Sequence, residues 1–206
     1  MTDDGIEEWP GTGARIKFLR VAGLRAGDSL SPGEALRHAA FRMEKRRSEW
    51  LAGRLAAKTL LASAAGKPLA SFEITVDTLG RPSCGGALLS ISHSGGWAMA
   101  AMKPGSGFLG ADLEKIEERH PAWYRDYFHA SELPAPDPSE ATRVWAIKEA
   151  LLKALGLGLA ADPMNIRTDN MTFTGKALER YASLGSPVFS VETRKSPEGF
   201  WTAVAA

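Results

Sequence analysis

Asp112 and Glu114, in the run Phe108-Leu109-Gly110-Ala111-Asp112-Leu113-Glu114, are two carboxylates separated by one apolar residue. In an extended strand, residues two apart project to the same side, so both carboxylates face one way and Leu113 the other. Like charges side by side repel, and a cation between them relieves the repulsion. The same spacing also fits a strand running out into a solvated acidic loop, and taken alone it leaves both readings open.

A second group lies in Trp145-Ala146-Ile147-Lys148-Glu149-Ala150-Leu151-Leu152-Lys153-Ala154-Leu155-Gly156. At helical spacing Val144, Ile147, Leu151 and Leu155 fall on one arc, and Glu149 and Lys153 share another, one turn apart. Such a pair is either an i,i+4 surface ion pair worth a few tenths of a kcal/mol or part of a site. Trp145, one turn earlier on the same face, speaks for the site.

Two weaker groups precede these. Ile91-Ser92-His93-Ser94-Gly95-Gly96 puts hydroxyls, an imidazole and turn amides at a strand end, a set suited to an anion or to a plain turn histidine. Ser92 and His93 are neighbours pointing to opposite sides, and no G-x-S-x-G elbow exists, which counts against a Ser-His hydrolase. In Gly80-Arg81-Pro82 a guanidinium sits in a tight turn, facing either a phosphate or solvent.

These residues need a framework, and 206 residues with 44% hydrophobic content, six Trp and eight Phe supply one sizeable domain or two small subdomains. The 25 basic against 24 acidic side chains argue against a nucleic-acid protein. Two basic runs, Arg15/Lys17/Arg20/Arg25 and Arg42/Lys45/Arg46/Arg47, read as solvated faces. Cys84 is the only cysteine and forms no internal disulfide, which fits a reducing compartment. The acidic start has no signal-peptide pattern, and no apolar run reaches the roughly 20 residues of a membrane span. The expectation is a cytoplasmic protein without a membrane or nucleic-acid partner.

Along the chain, residues 1–13 read as a polar leader and ARIKFLRVAGL as a first strand. SPGEALRHAAF opens as a helix at Pro32, and about Phe41 to Ala65 is helical with Trp50, Leu51, Leu55, Leu60 and Leu61 on its buried face. SFEITVD, ALLSISHS, WAMAAM and FLGADLE read as strands, HPAWYRDYFHASEL as a helix and LPAPDPSE as a loop. Thr142–Leu155 is the clearest helix, and MTFTGKAL, PVFSVETR and FWTAVAA read as strands of a terminal sheet. Strands and helices recur in both halves in similar order, which suggests two α+β lobes with a site at their seam.

The ordered series G-R-P, ISHSG, LGADLE and WAIKEALLKALG over residues 80–156 resembles the 4′-phosphopantetheinyl transferases, specifically the larger surfactin-synthetase-activating type. That family carries a G-K-P turn, a strand ending in S-H-S, then (I/V)-G-(I/V)-D-x-E and W-x-x-K-E-(A/S)-x-x-K. RDYFHASEL is similar to its aromatic-rich segment, and the resemblance spans about Arg46 to Leu159. It implies an α+β fold of two similar α/β lobes, 1–102 and 103–206, related by a pseudo-twofold axis and sufficient as a monomer. It further implies transfer of the 4′-phosphopantetheine arm of coenzyme A to a serine of an apo acyl or peptidyl carrier protein, with adenosine 3′,5′-bisphosphate left behind.

By the same resemblance Asp112, Glu114 and Glu149 are Mg²⁺ ligands, and Lys153 meets the coenzyme A pyrophosphate. Glu149, Lys153 and Asp112 form the catalytic set, with Glu149 or a water on the metal as base. His93 and Ser92 hold phosphate oxygens, Arg81 replaces the family's lysine in G-K-P, and Arg46 or Arg47 meets the 3′-phosphate. Lys148 either orients the site or meets the carrier protein, and Arg54 matches a recurrent family position. Ala111 departs from the family's branched residue before the aspartate. The alternatives are a binding-only relative, against which the intact carboxylate–lysine set counts, and a Mg²⁺-dependent diphosphate hydrolase.

Overall fold

The structure, a computed structural model, describes residues 5–135 and 137–206, with only the backbone of Leu159. The chain opens with strands β1 (Ile6–Trp9) and β2 (Ala14–Arg20), then helices α1 (Pro32–Ala39) and α2 (Glu44–Ala65). β3 (Thr75–Val76), β4 (Pro82–Cys84), β5 (Ala87–Ser94) and β6 (Trp97–Lys103) complete an antiparallel sheet of order β1-β2-β6-β5-β4-β3. β7 (Gly110–Lys115), α3 (Pro121–Tyr127) and α4 (Pro138–Leu155) follow. β8 (Ile166–Arg167) pairs with β9 (Thr172–Phe173), and α5 (Gly175–Ser183) leads to β10 (Val191–Arg194) and β11 (Phe200–Ala205). β7, β11 and β10 form a second antiparallel sheet. The fold is therefore mixed α+β, as expected.

Each sheet is covered by one long helix. α2 buries Leu51, Leu55, Leu60 and Leu61 against the first sheet, together with Leu89, Ala100 and Met102. α4 buries Ile147, Leu151 and Leu155. Both helices end where a glycine takes the left-handed conformation, Gly66 at φ 64° and Gly156 at φ 72°. The contact of α4 with β7 is backbone-close: a Cβ on Gly110 would lie 1.9 Å from the Ala150 carbonyl oxygen. No other residue fits there.

Five sequence expectations are corrected. The leader contains β1, which pairs with β2 from Ile6↔Lys17 to Trp9↔Ala14, and Trp9 is fully buried under the Arg194 guanidinium. α4 starts at Pro138 rather than Thr142, because the Asp137 carboxylate accepts hydrogen bonds from the N–H groups of Ser139 and Glu140. In MTFTGKAL only Thr172–Phe173 is strand, since Gly175 begins α5, whose Ala177 packs in the core beside Tyr181 and Leu184 at helical spacing. The terminal sheet therefore consists of β10 and β11 with β7, not three consecutive strands. In SFEITVD, only Thr75–Val76 is paired.

Candidate active site at the seam of the two sheets

β5 and β7 run against each other without a strand ladder among the described residues, and side-chain hydroxyls join them. Ser90 Oγ accepts from the Ala111 N–H at 2.9 Å and faces its carbonyl at 3.4 Å. Ser92 Oγ donates to Asp112 Oδ1 at 2.7 Å. Ser94 Oγ donates to Glu114 Oε2 at 3.2 Å and accepts from the Lys115 N–H at 3.2 Å. These serines occupy alternate positions, so all three face β7, while Leu89, Ile91 and His93 face the other way. Ser92 and His93 therefore do point apart, as extended neighbours must.

Asp112 and Glu114 both turn to this seam, and Leu113 is fully buried on the opposite side. α4 supplies the rest. Lys153 Nζ donates to Asp112 Oδ1 at 2.6 Å and to the Ala111 carbonyl at 3.1 Å. Trp145 Nε1 donates to Glu114 Oε1 at 3.3 Å, which gives the aromatic on this face its role. Arg119, which sequence reasoning passed over, lies 3.7 Å from Glu114 and packs over the Trp123 ring.

Electrostatically the site holds more negative charge than its own cations offset. Burial pushes the Glu149 carboxyl up to about 7, helped by the charge of Asp112 and opposed by Lys153. Burial and Asp112 likewise push Glu114 up to about 7, against Arg119, Trp145 and Ser94. Asp112 Oδ2 and Glu149 Oε1 are both buried without a hydrogen-bond partner among the described residues. Orphaned carboxylate oxygens are costly unless something positive meets them.

That donor set fits a hard divalent cation. No group of three or more His, Cys, Asp or Glu side chains among the described residues forms a ready cage. Mg²⁺, however, needs only one or two carboxylates when waters and substrate phosphate complete its octahedron.

A cleft leads away from this cluster. Lys153 shares a cavity of about 210 Å³ with Arg81, Pro82, Ile91 and Gly156. Across Gly80, Pro82 and Ile91 it adjoins a second cavity of about 300 Å³ lined by Arg37, Arg46, Trp50, Arg54 and His93. Arg46 is exposed toward this cleft, whereas Arg47 pairs with Glu44 on its own helix and is absent from the lining. His93 is half-exposed, with Nδ1 3.8 Å from Glu49. Arg81 pairs with Asp77 at 2.8 Å within its turn. Arg37, from α1, was not singled out in the sequence, because nothing local distinguishes it.

Two motif residues are anchored by buried partners. Lys148 is fully buried, its Nζ 2.7 Å from Glu132 Oε2 and donating to the Tyr127 carbonyl at 2.9 Å. It cannot touch a carrier protein, which corrects that half of the expectation. Burial raises the Glu132 carboxyl, but Lys148 and the N–H groups of Thr168 and His129 outweigh it, and the group is held below the usual range. Arg54 is buried, donating to the Ile74 carbonyl at 2.7 Å.

Comparison with known proteins places this geometry in a class. Residues 108–205 match the family model of the 4′-phosphopantetheinyl transferase superfamily. Residues 34–103 match the model of the 4′-phosphopantetheinyl transferase N-terminal domain. The two matches together span most of the chain, which therefore belongs to this family and fits its larger, surfactin-synthetase-activating type. A phosphopantetheinyl transferase from Thraustochytrium sp. is 28% identical over 174 residues, covering 68% of this chain. The chain spans 60% of the length of that relative. The crystal structure of Thermotoga maritima holo-[acyl-carrier-protein] synthase aligns with 57% of this chain and 75% of its own at 23% identity, with a TM-score of 0.37. No helix among the described residues is long and apolar enough to cross a membrane.

Proposed function

We propose that this protein transfers the 4′-phosphopantetheine arm of coenzyme A to a serine of an apo acyl or peptidyl carrier protein and releases adenosine 3′,5′-bisphosphate. The observation that carries the reading is the set of Asp112, Glu149 and Lys153 at the end of a basic cleft, two of its carboxylate oxygens buried and unpartnered. A Mg²⁺ held by the unpartnered oxygens of Asp112 and Glu149, with Glu114 as the third acidic group beside it, would offset the negative charge of the coenzyme A diphosphate as its P–O bond breaks.

The remaining work belongs to the chain's own groups. Lys153 Nζ lies at the boundary of the carboxylates and the cleft, where it meets the diphosphate and stabilises the leaving phosphate. Arg81, Arg46 and His93 line the cleft and hold the other phosphate oxygens. As the serine oxygen forms its bond to phosphorus, its proton must leave. Glu149, buried one turn from Lys153 on α4, is the carboxylate of this chain placed to accept it. The carrier protein reaches the site from solvent, and one chain contains the whole constellation.

Intact mass spectrometry of apo carrier proteins incubated with this protein, coenzyme A and Mg²⁺ tests the reading. A gain of one phosphopantetheine arm, lost with EDTA, supports it. No gain on any carrier, with coenzyme A still bound in calorimetry, points to a binding-only protein. Release of free phosphopantetheine without a carrier identifies a diphosphate hydrolase.

A further inference from the structure

The hydroxyls along β5 have a second use besides joining two sheets. β7 presents an edge to β5 whose N–H groups at Ala111 and Lys115 find serine oxygens in place of a strand ladder. The two serines nearest the site go further and reach the carboxylates themselves: Ser92 donates to Asp112 Oδ1 at 2.7 Å and Ser94 to Glu114 Oε2 at 3.2 Å. Ser92 is buried, and its hydroxyl is directed at Asp112 rather than into the cleft lined by His93. Each hydroxyl occupies one oxygen of its carboxylate. At Asp112 this leaves Oδ2 as the buried, unpartnered one.

We propose that Ser92 and Ser94 are positioning residues that fix the rotamers of Asp112 and Glu114 across the seam, leaving Asp112 Oδ2 free to meet the cation and registering the first sheet on the strand that holds it. The inference rests on the metal-binding part of the proposed function and goes beyond it, since it moves Ser92 from the phosphate to the carboxylate. Outer partners that orient ligating carboxylates change metal affinity by about 10–100-fold when removed.

The test uses the full-length Ser92→Ala, Ser94→Ala and Ser92→Thr proteins with Mn²⁺ alone as the probe, titrated by electron paramagnetic resonance. Ser92→Ala and Ser94→Ala are expected to bind Mn²⁺ about tenfold more weakly or worse, while Ser92→Thr, which keeps the hydroxyl, stays near wild type. At saturating Mg²⁺ the KM for coenzyme A is expected to change less than about twofold in Ser92→Ala. Hydrogen exchange over 110–115 should quicken in Ser94→Ala, where the Lys115 N–H loses its acceptor, and not in a Ser83→Ala control.

Wild-type Mn²⁺ affinity in both alanine variants overturns the proposal, as does a Ser92→Ala protein whose sole defect is a raised KM for coenzyme A. If the wild type itself takes up no Mn²⁺, the metal-binding reading fails separately. The exchange measurement then decides whether the serines register β7: unchanged exchange in Ser94→Ala sinks that as well.

Discussion

Lys153 Nζ lies 2.6 Å from Asp112 Oδ1, so a helix residue pairs across the seam with a strand residue 41 positions away. Glu149, one turn before it on α4, is left buried with an unpartnered oxygen. An isolated helix would have paired Lys153 with Glu149. Packing α4 on β7 replaces that local pair with a long-range one and so creates a site.

Glu149→Gln keeps the side chain's shape and removes its charge. Carrier-protein transfer should fall by at least about 10²-fold while circular dichroism stays native. Lys153→Ala should depress turnover by a similar factor, since the ammonium meets charge that develops as the P–O bond breaks. Near-wild-type turnover of either variant in single-turnover mass spectrometry removes that residue from the mechanism.

Without added metal, ionised Glu149 is destabilising in the fold. Its folded carboxyl is raised from the usual 4.5 to about 7, so the folded state binds the proton more tightly and stability falls as pH rises through that window. In EDTA, Glu149→Gln should therefore melt higher than wild type at pH 8, and the gap should close toward pH 5. Its ceiling is ~3 kcal/mol. Scanning calorimetry at both pH values reads the sign directly.

Lys148 and Glu132 form a fully buried ion pair. Lys148→Met leaves a buried carboxylate without its cation and should cost about 3–5 kcal/mol in urea unfolding. Combining it with Glu132→Gln should recover much of the loss. A Lys148→Met protein as stable as wild type would show that the pair does not hold α4 to the segment around Glu132.

The close approach of β7 and α4 allows only glycine at position 110. Gly110→Ala should destabilise the fold by about 3 kcal/mol or more, because the clash is with the α4 backbone at Ala150 and Ala154, which no side-chain rotation relieves. The chemical-denaturation midpoint checks this. An unchanged midpoint would mean that the helix can lift from the strand freely.

Arg46 lines the cleft and Arg47 pairs along its own helix. Arg46→Ala should raise the KM for coenzyme A about tenfold, and Arg47→Ala by less than about twofold. The reverse order in steady-state kinetics would reassign the 3′-phosphate contact.

By itself the sequence determined the elements that carry strong period and punctuation: β5, β6, the long helices α2 and α4, and the glycines that end them. It also determined which side chains face together within one element. Asp112 and Glu114 share a side and Leu113 opposes them because strand geometry is local. Elements with little local signal were missed. β1 is four residues long and gains its stability from pairing with β2 and burying Trp9. α5 follows β-rich MTFT, although the spacing of Ala177, Tyr181 and Leu184 was a usable helical sign.

Only the tertiary structure decided the partners. Nothing near Ser92 in sequence indicates that its hydroxyl meets Asp112, nor that Lys148 is buried against Glu132 while Lys153, five residues later, opens onto a cleft. Residue type and local spacing limit what a side chain can do. Which of those possibilities is realised depends on the groups that distant elements bring within about 3 Å, and on whether burial makes leaving an oxygen unpaired costly.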